Sequence, residues 1–441
     1  MSATNTAKLR KFYTDNIEFV QNEPINNYIY AVVGKSDQWS NESVPDISED
    51  SRLNRLSFYG DIVGGKKISN TQSHKVARRI DWINNTTYDY YDDNLDLVFG
   101  ESLNQPTKAP QFYVVNSNLD VYKCLDNNVN NSSTVEPTGQ LSTSFKTADD
   151  YVWKYLYTIT SQQESTYMNS EWMAIQTLES VDVSSQWAAQ SSAVGGAVEF
   201  INVVGVGVGY NSGDLPTATI SGDGVGATAV VVVDDILGEI THINIVSKGS
   251  GYTNATVVIA GTTGSGGVAR VIMSPEGGHS SDAANELGGV FTMLSVQIVD
   301  DEGGKIPTGI SYRKVGLIVN PKSNESGKLL KLSNVSGNFI LDEPLVGSSG
   351  TGVVVKFSSL DSDMYIRVVT GSFNNTDTIT GSTSSETATI LSQSVTNLPI
   401  TSSVFNYGDI EQNSGDLIYI EHTIAIDRLV GQVELLQFTL L

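Results

Sequence analysis

Apolar residues spaced three to four apart are scarce along this chain, whereas short runs of Val, Ile and aromatic residues recur between stretches rich in Gly, Ser, Thr and Asn. Short period-two runs bounded by turn formers are the pattern of strands, so the sequence predicts a mainly β protein with a few short helices in its loops. Strands are expected at Val315 to Val319, Leu417 to His422 and Val433 to Leu440. The last has apolar residues on both faces and reads as a central, doubly covered strand. One helix is expected near the start, capped by Asn5 or Thr6, carrying Leu9, Phe12 and Tyr13 and ending at Asn16, and a second near Thr71 to Asp81.

Two stretches stand out, Val121 to Asp126 and Asp149 to Ile159. In the second, period two sends Tyr151, Trp153, Tyr155 and Tyr157 to one face, with Val152, Lys154, Leu156 and Thr158 on the other. Four aromatic side chains on one face need a covering surface, which can be core, a subunit interface or a sugar-stacking platform.

The middle of the chain repeats itself. Ile201-Asn202-Val203-Val204 with Gly207-Val208-Gly209-Tyr210 returns as Ile243-Asn244-Ile245-Val246 with Gly249-Ser250-Gly251-Tyr252. Each copy continues into a strand-like run, Thr217 to Ile220 or Thr256 to Ile259, then a Gly-rich turn and another β run. A weaker duplication relates Val335 to Phe339 and Leu345 to Ser348 to Val369 to Phe373 and Ile379 to Ser382. Two copies fall short of the three or so that a solenoid needs, so two compact inserted β-modules are expected. The organisation reads as a core over 1–194, a module over 195–287, core again over 288–324, a second module over 325–400 and C-terminal core strands over 401–441.

Length and charge narrow the partners. A chain of 441 residues exceeds the usual single domain and can bury a large core. Its 49 acidic and 26 basic residues, a formal charge of -23, oppose binding to a phosphate backbone or an anionic membrane. Neither a signal-type apolar run at Met1 to Arg10 nor an apolar stretch of spanning length is seen, so no membrane insertion and no secretion by the usual route are expected. With Cys124 as the single cysteine, an intrachain disulfide and a thiolate metal cluster are both ruled out, and Cys124 reads as a small packing residue.

Motifs that could carry chemistry are weak. Gly60 to Lys66 fits the first seven positions of a phosphate-binding loop, but Lys67 stands where a Ser or Thr must bind magnesium, and the segment reads as a Gly turn between strands. Gly205, Gly207 and Gly209 occur in a repeated unit with no helix after them, which reads as a structural turn. The four histidines, His74, His242, His279 and His422, are scattered singly and read as surface or strand residues. Asp89, Asp92, Asp93 and Asp96 lack the Gly and Glu of a calcium loop and read as a solvated run. No catalytic residue, cofactor site or metal site is assigned, and no enzyme is expected.

The order of several stretches along the chain does suggest a family. Leu9-Arg10-Lys11-Phe12-Tyr13, Val33 to Trp39, Val76-Ala77-Arg78-Arg79-Ile80-Asp81-Trp82, Val121 to Asp126, Asp150 to Leu156 and Ser414 to Glu421 together resemble the baseplate wedge protein called gene product eight of T4-like, contractile-tailed phages. The likeness covers most of the first 180 residues, resumes at Ser311 to Pro321 and Phe405 to Leu441, and lapses over Gly195 to Leu287 and Glu325 to Ile400. The family implies a layered β-sandwich with helices in side loops that self-associates as a dimer. It also implies a place in the virion tail baseplate, contacts with other wedge proteins, and assembly in the cytoplasm of the bacterial host. The Gly-rich modules resemble units scattered through phage tail proteins, especially those of marine cyanobacteria. On this reading Trp82, Tyr151, Trp153, Tyr155 and Tyr157 are core or interface aromatics, and Arg78 and Arg79 are interface charges facing acids of a partner or of the chain itself. The alternative is a glycan-binding adhesin or decoration protein with Tyr210 and Tyr252 as stacking platforms.

Overall fold

The structure, a computed structural model, describes residues 2–5, 28–93, 111–261, 263–288 and 291–440. The chain is mainly β, built from antiparallel sheets with short helices between strands. It divides into two compact units, 1–73 with 294–438 and 74–293 with 439–441.

In the first unit, β1 (Ser2–Asn5), β2 (Ile29–Gly34) and β3 (Ile62–Ile68) enter a six-stranded sheet. Helix α1 (Arg52–Asp61) leads into β3, with Ser51 Oγ accepting from the Asn54 N–H as its cap. The expected helix over Thr6 to Asn16 falls outside the described residues, and Asn5 ends a strand. In the second unit, β4 (Ser73–Arg78) pairs with β9 (Trp172–Ala174), while β5 (Tyr113–Val115), β6 (Asp120–Asp126), β8 (Val152–Thr158) and β7 (Phe145–Lys146) form a four-stranded sheet in that order. The helix expected near Thr71 to Asp81 is therefore a strand: a 3-10 turn at Asn70–Gln72 precedes β4, whose Val76 and Ala77 gain a ladder and a core that a solvent-facing helix lacks. Short helices α2 (Ser161–Tyr167), α3 (Ser185–Ser191) and α4 (Ala283–Glu286) fill connections of this unit.

The first duplicated segment forms β10 (Val198–Val208), β11 (Thr217–Gly222), β12 (Val225–Asp234), β13 (Glu239–Ser250), β14 (Ala255–Ala260) and β15 (Ser265–Met273). Its copies exchange strands. β10 of the first copy pairs with β15 of the second, β13 of the second pairs with β12 of the first, and the equivalent β11 and β14 pair antiparallel about Thr219 and Val258. β10 also lies alongside β13, so the six strands follow the cyclic order β10-β15-β14-β11-β12-β13 around Ile201, Val231, Ile240, Ile243 and Val271.

β16 (Phe291–Val299) follows, and the chain re-enters the six-stranded sheet at β17 (Ile310–Val319). β18 (Lys322–Ser333), β19 (Pro344–Gly347), β20 (Gly350–Ser358), β21 (Asp363–Gly371), β22 (Thr378–Gly381) and β23 (Thr387–Pro399) then close a barrel. Equivalent strands again meet: β19 pairs with β22 about Val346 and Thr380, and β18 with β21 about Leu329 and Tyr365. Read from its first strand, the barrel runs β18-β23-β22-β19-β20-β21, the same cyclic order as the first module. Finally β24 (Val404–Asn406) and β25 (Asp416–Arg428) complete the six-stranded sheet, and β26 (Val433–Leu440) ends the chain. β26 alternates between exposed and buried residues, so it is covered on one face rather than two, and buried Glu434 at one inward position is held by Arg428 at 2.9 Å.

Candidate functional site: an aromatic sheet and a buried ionic junction

β6 and β8 carry the aromatic residues singled out in the sequence, and their pairing divides them between two faces. Tyr122 is opposite Tyr155 and Val121 is opposite Tyr157, which leaves Leu156 as the extra residue of a β-bulge. The bulge reverses the parity. Tyr151, Trp153 and Tyr155 lie with Tyr122, Cys124 and Tyr88 in one core cluster, whereas Leu156 and Tyr157 share the opposite one with Val121, Leu125 and Met173. The row of four on one face is thus a row of three, stacked internally: the Tyr151 and Trp153 ring centroids are 5.5 Å apart at 18°, with Tyr88 edge-on to Trp153. All four aromatic side chains are buried inside their own unit, and Cys124 with them. Trp82 is half-buried on this cluster, its indole N–H donating to Ser133 Oγ at 3.1 Å. Arg78 and Arg79 find partners in their own chain. The Arg78 guanidinium lies 4.2 Å from the Trp172 ring and 3.4 Å from Glu171, and Arg79 holds Asp81 at 2.9 Å and donates to the Asn169 carbonyl.

Beneath the second face lies a group of charges with no signal in sequence spacing. Lys123 of β6, fully buried, places its ammonium against the Glu286 carboxylate of α4, 2.8 Å from His279 Nδ1 and 4.6 Å from the Tyr91 ring centroid. His279 is a loop residue buried 3.8 Å from Glu286, so it is neither a surface nor a strand histidine. Burial and the adjacent Lys123 charge push its imidazole down to about 4, and it therefore sits neutral, accepting from Lys123 at Nδ1. Burial would raise Glu286, but Lys123 and His279 outweigh it and hold the carboxyl low. Lys123 itself is lowered by burial against the pull of Glu286. Lys154, next to Lys123 across the ladder, donates to the Ser142 carbonyl and is lowered by burial to about 8. Ser280 adds a hydrogen bond to the Tyr155 carbonyl. The arrangement clamps the segment after β15 onto the aromatic sheet, and with its groups at most 6 % exposed it joins structure to structure.

The first module is tied down at a second point. Asp92 and Asp93, expected to be a solvated acidic run, grip Arg270 of β15, and Asp93 also accepts from the Met273 N–H. Asp89 caps the Gln111 N–H at 2.7 Å, and Asp96 lies outside the described residues. Among the described residues no cluster of His, Cys, Asp and Glu is disposed to hold a metal ion. The phosphate-loop-like stretch is not a turn between strands: Gly60 lies in α1, and Gly64 and Gly65 lie inside β3, where a Cβ at Gly65 would sit 2.6 Å from the Phe405 ring. Tyr210 and Tyr252 are buried, each with its hydroxyl accepting a backbone N–H, from Gly267 and Ala227. Neither ring face is open for stacking a sugar.

In the first unit, a cleft of about 400 Å³ is lined by two ion pairs, Arg367 with Glu325 and Lys305 with Asp409, above Leu398, Ile400 and Val404. No protein-family model and no curated protein matches this chain.

Proposed function

We propose that this chain is a non-enzymatic structural subunit of a contractile phage tail baseplate wedge, a dimer that joins other wedge proteins and takes part in the rearrangement that triggers sheath contraction. One observation carries the reading: among the described residues, stretches that resemble the wedge family, scattered along the sequence, are one another's partners within each unit. Val33 and Gly34 pair with Val315 and Lys314, Arg313 donates to the Ser36 carbonyl, and Val315 to Val319 pair with Asp416 to Glu421. In the other unit Val121 to Asp126 pair with Val152 to Thr158, and Trp82 packs on the cluster that holds Tyr122, Tyr151 and Trp153. Such co-dependence is expected of a scaffold, while each duplicated segment closes on itself as an appended module.

The test is assembly. Phage made without this chain should produce tails with incomplete baseplates that fail to contract. Complete, contracting tails in its absence would overturn the proposal.

A further inference from the structure

The chain holds almost twice as many acids as bases, yet at one place two lysines converge on a single ring with no acid in ion-pair reach among the described residues. Lys67 Nζ of β3 lies 3.6 Å from the centroid of the Tyr28 ring, and Lys356 Nζ of β20 lies 4.8 Å from it. Among the described residues neither ammonium has a carboxylate within ion-pair distance. The acids that influence the group, Asp361 on Lys356 and Asp342 on Tyr28, act from farther away, and Asp361 is engaged by Ser358 at 3.1 Å.

The site is held firmly. Asn320, at φ 52 just past β17, accepts the Tyr28 N–H at its side chain and donates its own N–H to the Tyr28 carbonyl, and Lys356 reaches the same side-chain oxygen at 3.4 Å. Asn320 therefore fixes the Tyr28 backbone, and both ammonium groups lie against the ring that it carries. A π-face attracts cations but cannot neutralise them. Burial and the Lys67 charge lower Lys356 to about 8, and burial lowers Lys67. Elsewhere in the same unit, lysines with acids at hand pair with them, Lys66 with Glu302 and Lys314 with Asp61.

We propose that Lys67, Lys356 and Tyr28 form an oxyanion-binding site that takes a carboxylate or phosphate group. The ligand supplies the counter-charge, the two ammonium groups hold its oxygens, and the Tyr28 ring keeps both ammonium groups in place. This site is independent of the wedge assignment.

The test uses the full chain with its lysines converted to ¹³C-dimethyl-lysine, which keeps their charge, titrated with inorganic phosphate at constant ionic strength. The Lys67 and Lys356 signals should move together and saturate in the millimolar range, with the apparent pKa of Lys356 rising. The Lys67→Gln variant should weaken the Lys356 response about tenfold or more, a loss of ~1.4 kcal/mol. A parallel titration with an oligoglutamate peptide distinguishes the source: tighter binding of the peptide assigns the site to an acidic segment, tighter binding of phosphate to a free anion. Equal shifts with chloride, or an unchanged Lys356 response in Lys67→Gln, would overturn the proposal.

Discussion

The two duplicated modules share a strand order but solve its central packing problem differently. Both are two copies of a three-strand unit whose strands are exchanged, and both put an aromatic residue in the link between the first and second strand of each copy: Tyr210 and Tyr252 in one, Phe339 and Phe373 in the other. In each, the second-copy aromatic covers glycines of the first copy, Tyr252 over Gly222 and Gly224, Phe373 over Gly347 and Gly352. The barrel needs only the ring, because its ladder closes. In the first module the ladder is instead broken into three pairs, β10 with β15, β11 with β14 and β12 with β13, and its tyrosine hydroxyls accept the backbone N–H groups of Gly267 and Ala227. The choice of Tyr or Phe thus follows the state of the ladder, while topology follows the position of the aromatic and the facing glycine.

Attachment differs as well. The first module is clamped by Lys123, Glu286 and His279, whereas the barrel begins in Lys322, two residues beyond Asn320, and returns through Pro399, its sheet closed on itself. Removing one partner of a buried pair strands the other, so Glu286→Ala should cost about 3–5 kcal/mol, read from urea unfolding followed by Trp fluorescence. A variant within 1 kcal/mol of the parent, on the scale expected of an exposed pair, would show that the clamp is not needed. Phe373→Ala should cost about 3–5 kcal/mol through the cavity it leaves, with hydrogen exchange faster across β19 to β22 and unchanged in β10 to β15.

Gly264 probes the other side of the contact. At φ +72, with an added Cβ 2.4 Å from the Tyr210 ring, Gly264→Ala should destabilise the first module by about 2–4 kcal/mol through backbone strain and displacement of the ring. Smaller still, Tyr210→Phe should cost about 1–2 kcal/mol by leaving the Gly267 N–H without its acceptor, while Phe339→Leu, which loses no hydrogen bond, tests the ring alone in the barrel. Equal exchange rates at Gly267 before and after Tyr210→Phe would break the proposed division of labour.

A pH dependence is expected of the clamped module as well. His279 is neutral when folded and has its pKa depressed from 6.5 to about 4, so the unfolded chain binds the extra proton first. Its contribution is complete above pH 6.5 and is lost as the pH falls through 4, with Glu286 extending the loss to lower pH. Thermal melts between pH 7 and pH 4 should show a steeper decline for the parent than for His279→Asn, and parallel curves would remove His279 from the account.

Much of this was readable in the chain. Short period-two runs and abundant turn formers gave the β class, and internal identity exposed both duplications, because a repeated unit must repeat its core and turn residues. The helix expected near Thr71 to Asp81 and the doubly covered final strand were not readable, since the choice between strand and helix, or between one covered face and two, depends on neighbours distant in sequence.

The sequence by itself determined the composition of each repeat, the aromatic richness of β8 and the excess of acid. Only the tertiary structure decided that the repeats exchange strands, that a single bulged residue, Leu156, sends Tyr157 away from Tyr155, and that Lys123 meets His279 and Glu286 from more than 150 residues away. Periodicity is a local property and reports which residues seek burial. Pairing register and the neutralisation of a buried charge are set by whichever strand or side chain arrives opposite.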